Sequence, residues 1–257
     1  MRIRVGFSKT GKIRWTSHRD VARMWERAFR RTDLPLAYSV GFSPRPKVSF
    51  GLALSTGHES VAEFLDLELD PTRIDGLELS ALPARLTAAL PDGIDVTAAR
   101  VIGDRRDSLQ HEVTSTTFEI TTAGASLDEL RSSVTAALAA ESIVITRTRK
   151  GQAAADDVRP AILAVDALEA ISGDDGRPCV RFTAELATQP RGLRPAELLT
   201  ALSAVGSPAL EEVRVRRTHQ WISRADGARV GPLDDELPDP PDALGEPPAL
   251  QTLEPVS

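Results

Sequence analysis

Hydrophobic and polar residues alternate at the start of the chain, in "RIRVGF" at residues 2–7. Ile3, Val5 and Phe7 fall on one side of this segment, and arginines fall on the other. A period of two residues is typical of a strand with one buried face. We therefore predict a half-buried strand at residues 2–7.

The period changes in residues 17–31, where apolar residues recur at helical spacing. Ser17, followed three residues later by Asp20, forms a capping pair typical of a helix start. The predicted buried stripe comprises Val21, Trp25, Ala28 and Phe29. An arc of arginines faces away from it, formed by Arg19, Arg23, Arg27 and Arg30.

The following segments complete the first predicted unit. They are strands at 47–54 and 61–69, a helix within 74–90 and a strand at 94–102. The resulting order, β-α-β-β-α-β, is that of a ferredoxin-like sandwich.

The same order recurs in the second half, with one strand more than the pattern needs. The predicted strands are 116–123, 142–150, 160–168, 179–186 and 211–221, and the predicted helices are 127–140 and 194–204. We therefore predict an α+β protein made of two tandem ferredoxin-like (βαββαβ) units with antiparallel sheets. The predicted domains are residues 1–105 and 116–222, with the junction within 103–115.

Charge is distributed unevenly along the chain. Residues 231–257 contain seven Asp or Glu, seven prolines and no Lys or Arg. Removing those seven negative charges from the net charge of −6 leaves +1 for residues 1–230. Residues 1–50 carry 12 Lys or Arg against 3 Asp or Glu. This pattern predicts a basic binding surface and a disordered acidic tail. A tail that competes with an anionic ligand for that surface is the alternative.

The composition excludes several classes of protein. No apolar run reaches the 18 residues of a membrane span, and the first residues contain no signal-peptide core. One cysteine, Cys179, excludes a disulfide within the chain and an iron–sulfur cluster held by this chain alone. The four histidines lack metal-ligand spacing. We expect a cytoplasmic protein with no membrane contact, no metal site and no cofactor of its own.

The loop at residues 38–57 has a specialised composition. Pro44 and Pro46 stiffen the backbone around Arg45 and Lys47, and the loop contains no acidic residue. Small residues at 49, 51 and 53 leave one face of the following strand nearly bare. Such a loop suits a phosphate or carboxylate. A stiff loop that only packs on helix 17–31 remains the alternative.

Residues 12–66 resemble the signature of the radical-SAM-linked protein family, a domain of unknown function. The matching residues are Ser17, His18, Asp20, Arg23, Arg27, Ala28, Arg30, Arg31, Leu34, Pro35, Tyr38, Ser39, Gly41, Phe42, Pro44, Pro46, Lys47, Ser49, Phe50, Gly51, Gly57 and Glu63. In that family the domain is the C-terminal part of a radical SAM enzyme or a separate small protein. The resemblance implies a radical SAM enzyme as a partner in trans and an association with RNA metabolism. It assigns no catalytic residue.

The density of basic side chains favours RNA as the ligand, because phosphate contacts require such density. With only 4% aromatic residues, stacking on single-stranded bases is disfavoured, and a folded RNA contacted through its backbone is expected. The predicted anion-binding residues are Arg14, His18, Arg19, Arg23, Arg27, Arg30, Tyr38, Arg45, Lys47 and Ser49.

Two other functions remain open. His18, Tyr38 and Lys47 around one pocket could perform acid–base chemistry on RNA, as in a metal-independent ribonuclease resembling the tandem ferredoxin-like CRISPR endoribonucleases. Alternatively, the basic face could contact an acidic protein, so that the chain is a protein–protein scaffold. The leading hypothesis is a non-catalytic partner that presents tRNA or rRNA to a radical SAM enzyme.

Overall fold

A computed structural model describes residues 1–103, 107–149 and 151–234 of the chain. The strands are β1 (Arg2–Lys9), β2 (Val48–Phe50), β3 (Glu59–Glu68), β4 (Val96–Ile102), β5 (Ser115–Ala123), β6 (Val144–Arg149), β7 (Gln152–Asp157), β8 (Ile162–Ser172), β9 (Pro178–Ala187), β10 (Glu211–Ser223) and β11 (Arg229–Val230). The helices are α1 (His18–Arg31), α2 (Leu82–Ala89), α3 (Leu109–Glu112), α4 (Leu127–Ala139) and α5 (Pro195–Ala204). The protein is thus a mixed α+β fold, as the sequence predicted.

Nine strands of the described residues form one mostly antiparallel sheet. Its order is β4-β1-β3-β10-β5-β9-β8, with β2 beside β3 and β11 beside β10. The halves join through a short parallel pairing of β3 and β10, where Arg216 lies opposite Glu59 and Arg217 opposite Ser60. The two predicted units therefore share a continuous sheet.

Helix α1 forms as its sequence pattern predicted. The Ser17 hydroxyl accepts a hydrogen bond from the Asp20 amide (3.2 Å), which satisfies an otherwise unpaired N–H of the first turn. Trp25 is fully buried and meets Phe7 of β1 edge to face, with ring centroids 5.0 Å apart. The predicted stripe of Val21, Trp25, Ala28 and Phe29 is confirmed as the buried face of the helix.

The second half contains a strand, β7, that the sequence did not reveal, paired with the predicted strand β6. Gly151, at φ +79°, joins β6 to β7, and the two strands form a separate two-stranded sheet. The segment of β7, "QAAADD", is mostly exposed and has no apolar alternation. A strand without a buried face gives no hydrophobic signal, so periodicity missed it.

The predicted junction at 103–115 is partly packed into the fold. Leu109 of α3 and Val113 are buried, and together with Ile222 they form a small third core cluster. The Glu112 carboxylate lies 2.8 Å from the Arg4 guanidinium of β1. Residues 104–106 of this junction lie outside the described part of the chain.

The first residues of the predicted acidic tail also pack against the fold. Pro232 is buried, and its carbonyl accepts a hydrogen bond from Arg4 Nη1 (3.2 Å). Residues 231–234 therefore belong to the folded part of the protein, and the prediction of a disordered tail is wrong for these four residues. The rest of the predicted tail, 235–257, lies outside the described residues.

Within the described ranges, none of the helices combines the length and the apolar character that crossing a membrane requires.

Candidate functional site

The arginines of α1 lie on its exposed face, opposite the buried stripe. Arg23 Nη1 is 3.2 Å from Asp20 in the first turn of the same helix, and both side chains remain about half exposed. Among the described residues, Arg19, Arg27 and Arg30 have no ion-pair partner. This face therefore presents guanidinium groups that are not neutralised within the described fold.

The loop at residues 38–57 is closed near its base by backbone pairing. Tyr38 and Pro46 form an isolated antiparallel bridge, and the Ser39 amide donates to the Arg45 carbonyl (2.9 Å). Beyond this base, the side chains of Val40 and Phe42 are fully exposed. The two prolines and the cross-loop hydrogen bonds thus hold Arg45 beside Tyr38 while they present an apolar tip.

A cavity of about 610 Å³ lies between α1 and this loop. We call it the Tyr38 cavity. Its charged and aromatic lining includes Tyr38, Arg30, Arg45 and Arg73, with Glu26 and Asp33 as the acidic members. Asp33 forms an exposed ion pair with Arg73 at 3.4 Å. Three of the predicted anion-binding residues, Tyr38, Arg30 and Arg45, are therefore brought together here.

The structure does not bring His18, Tyr38 and Lys47 around one pocket. The His18 ring lies edge-on to Phe50 at 5.4 Å and lines a separate small cavity with Lys9 and Glu63. Lys47 Nζ lies 2.6 Å from Glu68 in an ion pair that is about half exposed, and it lines neither cavity. Phe50 lines both cavities and stands between them.

The remaining predicted residues, Arg14 and Ser49, lie apart from the Tyr38 cavity. Arg14 is half-buried, with Nη1 3.4 Å from Glu59 and its guanidinium 5.3 Å from the centre of the Trp15 ring. Ser49 is exposed on β2, opposite Asp66 of β3. Ser49 is exposed as predicted for the bare face, but Gly51 is buried: a Cβ there would lie 3.0 Å from the Phe64 carbonyl oxygen and 3.3 Å from Leu109 Cδ1.

Sequence reasoning missed a buried ionic cluster where the halves meet. Glu59 of β3 accepts hydrogen bonds from the Gly11 amide (2.9 Å), Arg214 (2.8 Å) and Arg216 (3.1 Å). Burial would raise the pKa of Glu59, but the bonds from Arg214, Gly11 and Arg216 outweigh it and lower the pKa from 4.5 to about 2. The arginines of β10 are far from Glu59 in sequence, so only the fold brings them together.

Lys9 belongs to the same interior. Its side chain is buried, and Nζ donates to the carbonyls of Arg14 (3.2 Å) and Thr16 (3.0 Å). Burial lowers the pKa of Lys9 because the charged form loses its water. These bonds hold the short turn that leads into α1, so Lys9 is part of the frame that positions the arginine face.

The described residues contain no group of three or more His, Cys, Asp or Glu side chains placed to hold a metal ion. Cys179 is buried in β9.

A family of known sequences matches most of the chain. Residues 2–195, about three quarters of the chain, match the family described as "Uncharacterized protein conserved in bacteria (DUF2344)". No curated protein matches the sequence. The matched range includes α1, the loop at residues 38–57 and most of the second half. The chain therefore belongs to this uncharacterized bacterial family.

Proposed function

We propose that this protein is a cytoplasmic, non-catalytic partner that binds RNA through its α1 face and presents it to a radical SAM enzyme acting in trans. The observation that carries the proposal is the exposed arginine face of α1, which continues through Arg30 into the Tyr38 cavity beside Arg45. Regularly spaced guanidinium groups, of which Arg19, Arg27 and Arg30 have no carboxylate partner among the described residues, suit a run of phosphates.

The loop tip supports a protein partner. Val40 and Phe42, separated by Gly41, are apolar and fully exposed at the end of a stiffened loop. Exposed apolar clusters of this kind mark contact sites between proteins, and a pre-ordered loop loses little entropy when it docks. We assign this tip to the contact with the radical SAM enzyme, because it lies next to the proposed RNA surface.

The fold proposal is that each half is a ferredoxin-like unit. In the first half the neighbours run β4-β1-β3-β2, and in the second they run β10-β5-β9-β8. Each order places the first and third strands of a βαββαβ unit in the centre, and each neighbouring pair within a half is antiparallel. The β6–β7 hairpin is an insertion after the first helix of the second unit.

The RNA proposal is tested by measuring affinity for folded RNA across a salt series. Arg27→Ala and Arg23→Ala should each weaken binding severalfold and reduce the slope of log Kd against log salt by about one, because each neutralised phosphate releases counterions. Arg131→Ala is the matched control. Arg131 is an exposed arginine on α4 that does not line the Tyr38 cavity and does not belong to the loop at residues 38–57. Absence of binding at about 50 mM salt would leave the protein–protein scaffold as the function.

His18→Ala separates this function from the ribonuclease alternative. A presenting protein should lose some affinity and show no cleavage before or after the change. A ribonuclease should keep its affinity and lose cleavage.

The partner contact is tested separately by a Val40→Ser, Phe42→Ser double variant. Pull-down from the native host should lose the radical SAM enzyme while RNA affinity stays within about twofold. Retention of the enzyme by this variant would assign its contact elsewhere.

A further inference from the structure

A second cavity, of about 350 Å³, lies where the two halves of the protein meet. The first half contributes residues 52–55 and His58, and the second half contributes parts of β5 and β6 and the turn at 187–195 before α5. We call it the junction cavity. It shares no residue with the Tyr38 cavity.

Arginine dominates the charged lining of the junction cavity. The lining contains Arg147, Arg191, Arg194 and Arg217, against one carboxylate, that of Glu197. His58 also lines it and bonds Glu212 through Nε2 at 2.7 Å. Four guanidinium groups around one small space require negative charge to be stable there.

Arg217 is held in place without using all of its donors. Its side chain is only 2% exposed, and both Nη atoms donate to the Leu52 carbonyl at 3.1 and 3.2 Å. Its Nη2 also lies 3.4 Å from Glu63, which is not a lining residue. Nε has no hydrogen-bond partner in the described structure. A buried guanidinium N–H without a partner is costly, so a ligand atom that accepts from this donor would be stabilised.

Arg147 is equally buried and is fixed by protein groups. Both oxygens of Glu197 accept from it at 2.8 Å, and Gly192 and Asp156 accept at 2.6 and 2.9 Å. Asp156 also accepts from Arg191 at 3.0 Å, and it is not a lining residue. These contacts orient the guanidinium groups on one side of the cavity before any ligand arrives.

Arg194 completes the set at the start of α5. Its backbone amide donates to Glu197 (2.9 Å), its side chain is exposed, and no described residue forms an ion pair with it. The first turn of α5 adds the positive end of the helix dipole. Arg194 is therefore the lining arginine whose charge is not neutralised by an ion pair within the described residues.

We infer that the junction cavity binds a small organic phosphate. Guanidinium groups from several directions match the oxygens of a phosphate better than the two oxygens of a carboxylate. The volume is at the lower end of ligand pockets, which matches a sugar phosphate or a nucleoside monophosphate. The inference is independent of the proposed RNA surface on α1.

The test uses ribose 5-phosphate as the probe in isothermal titration calorimetry, with ribose and inorganic phosphate as comparison ligands. Ribose 5-phosphate should bind, ribose should not, and inorganic phosphate should bind more weakly than ribose 5-phosphate. Arg194→Gln should raise the Kd for ribose 5-phosphate about tenfold, because it removes the unpaired guanidinium while the internal pairs remain. Arg131→Gln is the matched control and should leave the Kd unchanged.

Three results would overturn the inference: no binding of ribose 5-phosphate at millimolar concentration, binding of ribose with equal affinity, or an unchanged Kd in Arg194→Gln. Because Arg194 is exposed, this variant is expected to fold, and a wild-type melting temperature checks that. RNA affinity should be the same for wild type and Arg194→Gln. Failure of the α1 surface to bind RNA would therefore leave the cavity result standing, and the reverse is also true.

Discussion

At the scale of single residues, buried charged side chains contribute more to the stability of the fold than the exposed arginines do. The Glu59 side chain is 2% exposed and lies among Arg14, Arg214 and Arg216, which come from both halves of the chain. A buried ion is tolerated only when its partners satisfy it. Glu59 therefore couples the folding of one half to the folding of the other.

We predict that Glu59→Gln destabilises the protein and changes its acid response. The folded pKa, about 2, lies below the unfolded value of 4.5, so the carboxylate contributes stability above pH 4.5. This contribution, about 3 kcal/mol, is lost as the pH falls through about 2. Urea unfolding measured from pH 7 to pH 2 should give Glu59→Gln a lower free energy of unfolding than wild type at pH 7. Below pH 4.5, this free energy should fall less steeply with pH in the variant than in wild type.

Glu68→Gln is the control for this prediction, because Glu68 forms an ion pair with Lys47 in which both side chains are about half exposed to water. Exposed pairs contribute little, so this variant should stay within about 1 kcal/mol of wild type. Equal effects of the two variants would contradict the role assigned to Glu59.

Glycine is required where the backbone turns and another chain segment lies close. Gly124 has φ +99°, and a Cβ there would lie 2.4 Å from the Ala209 carbonyl oxygen. We predict that Gly124→Ala lowers the free energy of unfolding by about 3 kcal/mol or more, from backbone strain and the clash together. The measurement is urea unfolding at pH 7.

Gly176→Ala separates the two contributions. Gly176 also has a positive φ, +80°, but a Cβ there would meet nothing within 4 Å. This variant should lose only the strain energy, about 1 kcal/mol. A loss at Gly176 as large as that at Gly124 would show that the contact with Ala209 has no part in the effect.

At the scale of elements, α1 combines two faces with different tasks. Its buried stripe packs on β1 through the Phe7–Trp25 contact, and this packing fixes the direction of the exposed arginines. The helix starts at a well-formed cap, where Ser17 also donates to the Asp20 carboxylate at 2.7 Å. That bond and the positive charge of Arg23 lower the pKa of Asp20.

We predict that Ser17→Ala destabilises the protein by about 1 kcal/mol, because the first turn loses its cap. RNA affinity should fall slightly, since the start of the arginine face frays. Ser132→Ala is the control: Ser132 is exposed in the middle of α4, where alanine is a better helix former. Urea unfolding of both variants tests this, and equal losses would show that the cap contributes nothing.

At the scale of the whole molecule, the N-terminal strand is tied to the far end of the described chain. The fully buried Arg4 of β1 bonds Asp66 of β3 (2.7 Å), Glu112 of α3 (2.8 Å) and the Pro232 carbonyl (3.2 Å). Strand, junction and C-terminal segment therefore share one buried guanidinium. The two halves are therefore not separate domains joined only by a linker.

We predict that the chain keeps its stability when it is shortened to residue 234 and loses stability when it is shortened further. A chain that ends at Asp234 should melt within about 3 °C of the full chain, because residues 235–257 are acidic, rich in proline and without Lys or Arg. A chain that ends at Val230 should melt roughly 5 °C lower, since Arg4 loses the Pro232 carbonyl and Pro232 loses its burial. Scanning calorimetry measures both.

The same two chains address the screening role of the tail. If the acidic residues compete with RNA for the α1 face, the chain that ends at Asp234 should bind RNA more tightly than the full chain at low salt. Equal affinity of the two chains would leave the tail without that role. A loss of melting temperature on removal of 235–257 alone would show that this segment contributes to the fold.

Local patterns in the sequence were sufficient for most elements of the fold. The α1 stripe and its Ser17 cap were predictable because each depends on residues close in sequence. The exposed arginine arc followed from the same helical period. The prediction that β1 is half-buried is wrong: residues 3–9 are buried on both faces, because distant carboxylates of Asp66 and Glu112 pair with Arg4 inside the fold. The strand predicted at 47–54 shortens to Val48–Phe50, and β7 was missed, because neither segment has a continuous buried face.

Contacts between distant residues were decided only by the tertiary structure. The joining of β3 to β10, the burial of Glu59 among arginines of β10 and the bond from Arg4 to Pro232 all link residues more than 150 positions apart. Tertiary packing also decides that His18 and Lys47 lie outside the Tyr38 cavity. Periodicity reports which side of an element is buried, whereas the choice of neighbour depends on how whole elements pack and which charges they must neutralise.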